Sequence, residues 1–498
     1  MPEYLSPGVY VEEVPSTIKP IVGVSTSTAA FVGVVPDQVQ VAEDNPDFDP
    51  TINDQANPNS KRYRLWTFPF PDARLDAART AFNNLAQEGV RPARPRDTSP
   101  QGLRNFRDAQ EALAVASAHT AAGDMAPPGQ PVLCTTFADF TRHFGGFSTD
   151  GLAAAAAPAP PPGPGARPAP APAAGPGPVG ETPPPGQNQL AHGVFGFFNN
   201  GGTRCYVMRY RDLVGLQDPL SLVPLEHIDE ISIVAAPGIV DEVVQANIVD
   251  HCENMTDRFA VLDAPETPDD LTVDNIKVVG NTDYGALYFP WIKVFDTTSK
   301  LTGLKEDGEI YVAPSGHMAG IYARVDHERG VHKAPANEVV RGALTTETQI
   351  SKNLQAGLNP DGVNCIRKIN GNITVWGART IGGDLNEDLK YINVRRLLIF
   401  LRKSIDQGTQ WVVFEPNDRT LWAKIVRNVT AFLTTVWRDG ALFGSTPAEA
   451  FYVKCDDETN PPEERDLGRV ITEIGVAIVR PAEFVIFRIE QWAGPQAQ

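Results

Sequence analysis

Three histidines, His317, His327 and His332, stand close together in the chain. His327-Glu328-Arg329-Gly330-Val331-His332 approaches the pattern in which a helix presents two imidazoles to zinc with a glutamate as base. Here three residues separate Glu328 from His332 instead of two, and Gly330 weakens the helix that would put both rings on one face. Ser315 lies between Pro314 and Gly316 and lacks the Gly-x-Ser-x-Gly elbow of a hydrolase nucleophile. Asp263 sits at a predicted strand end, where α/β enzymes place catalytic groups. No partner is identifiable for it, so it reads as a solvated carboxylate. The turn Ala235-Ala236-Pro237-Gly238-Ile239 has one glycine where a phosphate cradle needs several, and no Gly-x-x-x-x-Gly-Lys-Ser/Thr occurs. No catalytic residue, cofactor or metal site is expected from these groups.

One cationic pattern has more to offer. Arg395, Arg396, Arg402 and Lys403 fall on a predicted helix, with 395 and 402, and 396 and 403, seven apart. Each pair therefore lies two turns along one face. The stripe suits either solvent or an acidic partner. The chain as a whole carries a formal net charge of −18, which makes this a local reversal of sign.

The elements that position these groups are legible by period. Ile231–Ala235, a helix over Asp241–Thr256 and a strand over Arg258–Asp263 read as a βαβ unit. Further strands are expected at Gly285–Phe295 and near Ile373–Trp376. Tyr391, Val394, Leu398, Leu401 and Ile405 make an amphipathic helix over Glu387–Asp406 that ends at Gly408. Gln410–Glu415 reads as a strand. Asn417 or Asp418 caps a second helix burying Trp422, Ile425, Val429, Phe432 and Val436, with Gly440 as its stop. Ile471–Val479 and Glu483–Trp492 read as terminal strands.

The two ends of the chain read as extended, apolar segments with nothing nearby in sequence to pair with. Leu5–Pro15 reads LSPGVYVEEVP at the front. At the back, Val485, Phe487 and Ile489 fall on one face of a strand, with Phe484 and Ile486 on the other. Burying those five side chains contributes roughly 7–15 kcal/mol before ordering entropy is subtracted. An open edge of that kind must be covered. If another copy covers it, strand addition links subunits into a polymer.

Composition limits the alternatives. At 498 residues and 42% hydrophobic content the chain is long enough for several domains with sizeable cores. No apolar run is long enough to span a bilayer, and Met-Pro-Glu-Tyr lacks the features of a secretion signal. Cytosolic synthesis without direct membrane insertion is expected. Net acidity argues against nucleic acid as a partner. Five scattered cysteines without Cys-x-x-Cys spacing imply buried reduced thiols. Cys455–Asp466 (CDDETNPPEERD) reads as a solvated acidic loop. Residues 151–188 read as an Ala/Pro-rich tether, disordered or of polyproline type. Residues 37–130 read as a mostly helical, outward-facing insert, with stripes at Leu75, Ala78, Phe82 and Leu85 and at Leu103, Phe106 and Leu113.

Taken in order, several segments resemble the contractile tail sheath proteins of bacteriophages and of phage-tail-like injection systems. They are Leu5–Val14 (LSPGVYVEEV), Ser25–Val35 (STSTAAFVGVV), Thr136–Phe147 (TFADFTRHFGGF), Val194–Met208 (VFGFFNNGGTRCYVM) and Ala313–Arg341. Val375–Thr380 (VWGART), Tyr391–Arg396 (YINVRR), Thr409–Asn417 (TQWVVFEPN), Trp437–Ala441 (WRDGA) and Pro481–Trp492 (PAEFVIFRIEQW) complete the series. The matches run through residues 1–36, 131–150 and 189–498, and the insert and tether depart from compact family members.

The resemblance implies an α+β, α/β multidomain fold. Residues 1–22 would be an N-terminal linking arm, and 23–36 with 131–350 the N-terminal and central α/β domains. Residues 351–480 would form a C-terminal α+β sheath core completed by intermolecular strand addition, and 481–498 a C-terminal linking arm. It also implies inter-subunit contacts through Val9, Tyr10, Val11 and Glu12, and through Phe484, Val485, Ile486, Phe487 and Ile489. In the family a helix of the C-terminal domain faces an inner tube, a role that Arg395, Arg396, Arg402 and Lys403 suit. The implied partners are other copies of the chain, an inner tube protein, and baseplate and terminal cap proteins. Assembly would occur in the bacterial cytoplasm, with the particle released outside the cell or carried in a virion. An α/β enzyme and a monomeric module with self-paired termini are the rival readings.

Overall fold

A computed structural model describes residues 20–35, 38–44, 63–69, 126–147, 187–301, 305 and 307–486. The described residues divide into a larger unit within Ser25–Arg396 and from Pro481 onward, and a smaller one within Leu397–Arg480 together with the residues up to Val24.

The larger unit is built on a sheet that begins with β1 (Ala29–Val34), whose six residues are all buried. A strand apolar on both faces belongs inside a parallel sheet covered on each side. After the strand pair β2 (Gln38–Asp44) and β3 (Tyr63–Pro69) come β4 (Val132–Cys134), helix α1 (Phe137–Phe144), helix α2 (Gln187–Asn199) and β5 (Cys205–Tyr210). The expected βαβ unit follows as β6 (Ile233–Ala235), α3 (Glu242–Met255) and β7 (Phe259–Asp263), with β6 and β7 parallel. Asp241 caps α3 by accepting from the Val244 N–H, and Thr256 closes it in the left-handed region at φ 57°.

Next come β8 (Gly285–Phe289), β9 (Ile292–Phe295), β10 (Glu309–Val312), α4 (Ser315–Arg329), β11 (Glu338–Val339), β12 (Thr345–Thr346), β13 (Val363–Ile369) and β14 (Asn372–Val375). Pro290 and Trp291 divide the single strand expected over Gly285–Phe295 into two that join different sheets. The main sheet runs β11-β14-β13-β8-β7-β6-β1-β5-β4. Its central strands from β13 to β5 are parallel, and the edges are antiparallel. One core packs on it, including Val32, Val234, Ile248, Leu262, Leu287 and Phe289.

Helices α2 and α4 approach almost backbone to backbone. A Cβ on Gly316 would stand 2.2 Å from the Gly193 carbonyl oxygen, and one on Gly320 would stand 2.4 Å from that of Phe197. Only glycine permits that approach.

The chain then continues through α5 (Ile392–Thr409), α6 (Arg419–Arg438), β15 (Phe451–Lys454) and β16 (Glu473–Val476). In the smaller unit Asp418 caps α6 through the Leu421 N–H at 2.8 Å. Helix α6 stops before Gly440, at φ 83°. β15 and β16 pair antiparallel, and Leu442 bridges Ile478.

Several expectations change. Helix α5 begins at Ile392, not Glu387, and ends at Thr409, within one residue of the expected stop at Gly408, where an added Cβ would stand 2.7 Å from the Ile21 side chain. Gln410–Val412 is a 3-10 turn, not the start of a strand. Between the end of α5 and the Asp418 cap there is room only for a connection. Val413 and Phe414 at its tip are exposed, and Phe414 has φ 68°. The insert contributes β2 and β3 as an antiparallel pair, while its two helical stripes lie outside the described residues. So does the tether, apart from Gln187 and Asn188 in α2. The acidic loop has a core of its own. Asn460 is buried and donates to the Ile471 carbonyl at 2.9 Å, and its Oδ1 accepts from the Ile471 N–H at 2.6 Å.

Candidate functional site

The groups with chemical potential are dispersed. His317 is buried in α4, and burial and neighbouring His192 push it down to about 3. His327 is exposed on the same helix, and His332 follows it with its backbone carbonyl bonded to Asn393. Among the described residues no set of three metal-ligating side chains converges.

Asp263, expected in solvent, is 1% exposed. Its carboxylate accepts from Ser315 N–H at 2.7 Å, Ser315 O–H at 2.6 Å and Gly238 N–H at 3.1 Å. It therefore ties the end of β7 to the first turn of α4 and to the turn after β6. Burial raises it to about 6, against the lowering effect of those bonds. The Gly238 amide, which a phosphate would need, is already taken by a carboxylate that would repel one. Ser315 donates to this carboxylate, and among the described residues no imidazole bonds to either group.

All five cysteines are buried free thiols. Burial raises Cys134 and Cys365 to about 12, leaving them unreactive at neutral pH.

The basic stripe on α5 is mostly committed to internal contacts. Arg396, 4% exposed, forms a two-pronged pair with Asp326 at 2.9 and 2.6 Å and donates to the Thr26 carbonyl at 2.9 Å. Its guanidinium lies 4.7 Å from the Tyr322 ring centre. Thr26 O–H also donates to Asp326 at 2.6 Å. Arg395 pairs with Asp283 and stacks on Tyr284 at 4.1 Å. Lys403 is buried, and Arg402 is the exposed member of the four.

Sequence periodicity overlooked a stronger basic face. Helix α6 exposes Arg419, Lys424, Arg427 and Arg438, and no acidic residue occurs from Arg419 to Arg438. Arg419 pairs with Asp457 at 2.8 Å. Beside this face lies an open groove of about 680 Å³ lined by Trp422, Ala423, Val426 and Thr430. The absence of carboxylates along a 20-residue helix in so acidic a chain was the available signal.

The first described residues are held in the smaller unit and the last in the larger one. In the smaller unit Ile21 is buried against Gly408, and the Val24 N–H donates to Ser404 Oγ at 3.1 Å. In the larger unit Glu483 is held by Arg379 through two bonds of 2.9 Å, by Asn359 at 2.7 Å and by Tyr391 at 2.9 Å. Past this anchor Phe484, Val485 and Ile486 have no regular structure and are 72%, 67% and 80% exposed. Val9, Tyr10, Val11, Glu12, Phe487 and Ile489 lie outside the described residues.

Comparison with known proteins matches two family models: the phage tail sheath protein central domain over residues 226–381 and the phage tail sheath C-terminal domain over residues 384–491. A tail sheath protein of Burkholderia phage BcepMu is 26% identical over 218 residues, covering 42% of this chain and 43% of that protein. A prophage relative from Pseudomonas aeruginosa (strain UCBPP-PA14), named for the major tail sheath, is 24% identical over 270 residues, covering 52% and 65%. The chain thus matches less than two thirds of the length of either relative. The fold is similar to that of a sheath complex in the contracted state from an extracellular contractile injection system, PVC. The TM-score is 0.60, with 22% identity, over 99% of both chains. A chain of the anti-feeding prophage helical sheath in the contracted state gives a TM-score of 0.59 at 22% identity, over 97% and 99%.

Proposed function

The chain belongs to the phage tail sheath family, and from that premise we propose that it is the structural subunit of a phage-tail-like contractile injection system. In this reading copies stack around an inner tube, linked by their arms, and contract to drive the tube through a target envelope. The single observation that carries it is the fold likeness to PVC and anti-feeding prophage sheath chains over nearly the whole length of both partners. The exposed apolar residues Phe484–Ile486, fixed at their root, support linkage by strand addition. The relation to the BcepMu sheath favours a second reading, the sheath of a contractile-tailed bacteriophage.

The work comes from bistability, not from chemistry on a substrate. Each copy would sit in a metastable packing, held to the tube by a small contact. Release at the baseplate lets subunits move into a better-packed arrangement. A few kcal/mol per subunit, summed over many linked copies, makes a large directional stroke.

The tube contact is best supplied by exposed cations: Arg402 on α5 and Lys424, Arg427 and Arg438 on α6. Arg395 and Arg396 contribute indirectly, by holding the start of α5. The partners in this reading are other copies, an acidic inner tube, a baseplate and a terminal cap. In this reading assembly takes place in the bacterial cytoplasm. No described helix is long and apolar enough to cross a membrane.

Negative-stain microscopy of the expressed chain tests the reading. Striated tubes are expected, and they should disappear on removal of residues 1–15 or 483–498 while the remainder stays folded. Dispersed particles from the intact chain at all concentrations would contradict it.

A further inference from the structure

Phe484, Val485 and Ile486 are apolar and exposed, yet Glu483 just before them is one of the most heavily bonded carboxylates among the described residues. Arg379 and Tyr391 are neighbours because their backbones form an isolated antiparallel bridge, reinforced by the Thr380 N–H to Lys390 carbonyl bond of 2.8 Å. That stem aims a guanidinium and a phenol at one point, and Asn359 supplies a third donor. Glu483 fills the point with both oxygens: Oε1 accepts from Arg379 Nε and Asn359 Nδ2, and Oε2 accepts from Arg379 Nη2 and Tyr391 Oη. Burial alone would raise this carboxyl, but bonds from Arg379, Asn359 and Tyr391 outweigh burial and hold it below the ordinary glutamate range. Two-pronged arginine–carboxylate pairing fixes direction as well as position.

One residue further on the pattern reverses. Phe484, Val485 and Ile486 are largely exposed. A flexible tail would not require four charge-assisted bonds at its first residue, and a tail folded onto its own subunit would bury its apolar side chains there.

We propose that Arg379, Asn359 and Tyr391 form a carboxylate socket whose occupant, Glu483, fixes where the C-terminal arm leaves the subunit and receives the load carried by that arm. This rests on the sheath reading insofar as the load comes from a neighbouring copy. The positioning role itself does not depend on polymerisation. Glu483 is a positioning residue, since the groups that would pair with another copy are the apolar ones beyond it. Arg379 also pairs with Asp384 at 2.9 Å and donates to the Asn359 carbonyl at 3.1 Å. Neutralising Glu483 therefore does not strand a bare charge, and the variant should fold.

The test compares the full-length chain with Glu483→Gln and Tyr391→Phe in dilute, unassembled form. Chymotryptic cleavage after Phe484 is followed by mass spectrometry, as the rate at which chains ending at Phe484 appear beside those cut at Phe487 or Trp492. A protease needs several residues on each side of the bond to be extended, so the anchor should slow cleavage. Cleavage after Phe484 is expected to be about tenfold faster or more in Glu483→Gln, the worth of one charge-assisted hydrogen bond. Tyr391→Phe should fall between it and the parent chain, with the main unfolding transition unchanged. At higher concentration the threshold for tube formation should rise in the same order.

Cleavage after Phe484 at the parent rate in Glu483→Gln would overturn the proposal, whatever the tubes do. If the intact chain forms no tubes but Glu483→Gln still speeds that cleavage, the socket stands and the sheath reading fails.

Discussion

Asp263 shows how a carboxylate can look catalytic in sequence and be structural in space. Held near 6 by burial, it contributes stability while it is protonated and costs stability once ionised. Its folded pKa lies above the unfolded one, so its contribution is fully present below the unfolded value near 4 and is lost as pH rises through about 6. The difference amounts to about 3 kcal/mol. Asp263→Asn should flatten that part of the pH–stability curve, as measured by urea unfolding from pH 4 to pH 7. A curve as steep as the parent's would assign the slope elsewhere. The pair of Asp326 and Arg396 behaves differently, because removing one member leaves a buried charge without its partner. Asp326→Ala should cost about 3–5 kcal/mol in the same assay. A loss under about 1 kcal/mol would mean that solvent reaches Arg396 readily. The seven-residue spacing of 395 with 402 and 396 with 403 was legible in the sequence. The identity of the covered residues was not, because Asp326 and Tyr322 lie far away in the chain and only the fold brings them to Arg396.

At the scale of elements, strict periodicity was informative and short apolar runs were not. Helix α3, with its Asp241 cap and Thr256 terminus, was readable almost to the residue, and the parallel pairing of β6 with β7 followed from it. Gln410–Glu415 failed because a short apolar run fits a strand or an inter-helix connection equally well, and only the lengths of α5 and α6 decide between them. The stop expected at Gly408 lies one residue from the observed end at Thr409, and that glycine also leaves room for Ile21 from the far end of the chain. The close approach of α2 and α4 makes a sharper prediction. Gly316→Ala places a methyl group against the Gly193 backbone, which cannot move aside as a side-chain tip could. A loss of about 1–3 kcal/mol is expected. An unchanged melting temperature would show that the two helices separate at little cost. On α6, Arg427→Glu combined with Lys424→Glu should leave stability nearly unchanged, since both side chains are exposed. The same substitutions should abolish co-sedimentation with inner tubes, and undiminished co-sedimentation would remove α6 from the tube contact.

For the molecule as a whole, the family and the fold class were legible in motifs spread along the chain. The way in which the arms attach was not. Near the front of the chain Ile21 and Val24 are held against α5 in the smaller unit, and near its end Glu483 is held in the larger unit. If copies are linked as proposed, ends held in two different units would let each copy take load at both. The most direct measurement is an atomic-resolution cryo-EM reconstruction of the assembled full-length protein. The account predicts that residues 484–489 of each copy form backbone ladder bonds with a different copy, while Glu483 stays in its own Arg379–Tyr391 socket. A reconstruction in which those residues pair only within their own chain would contradict it.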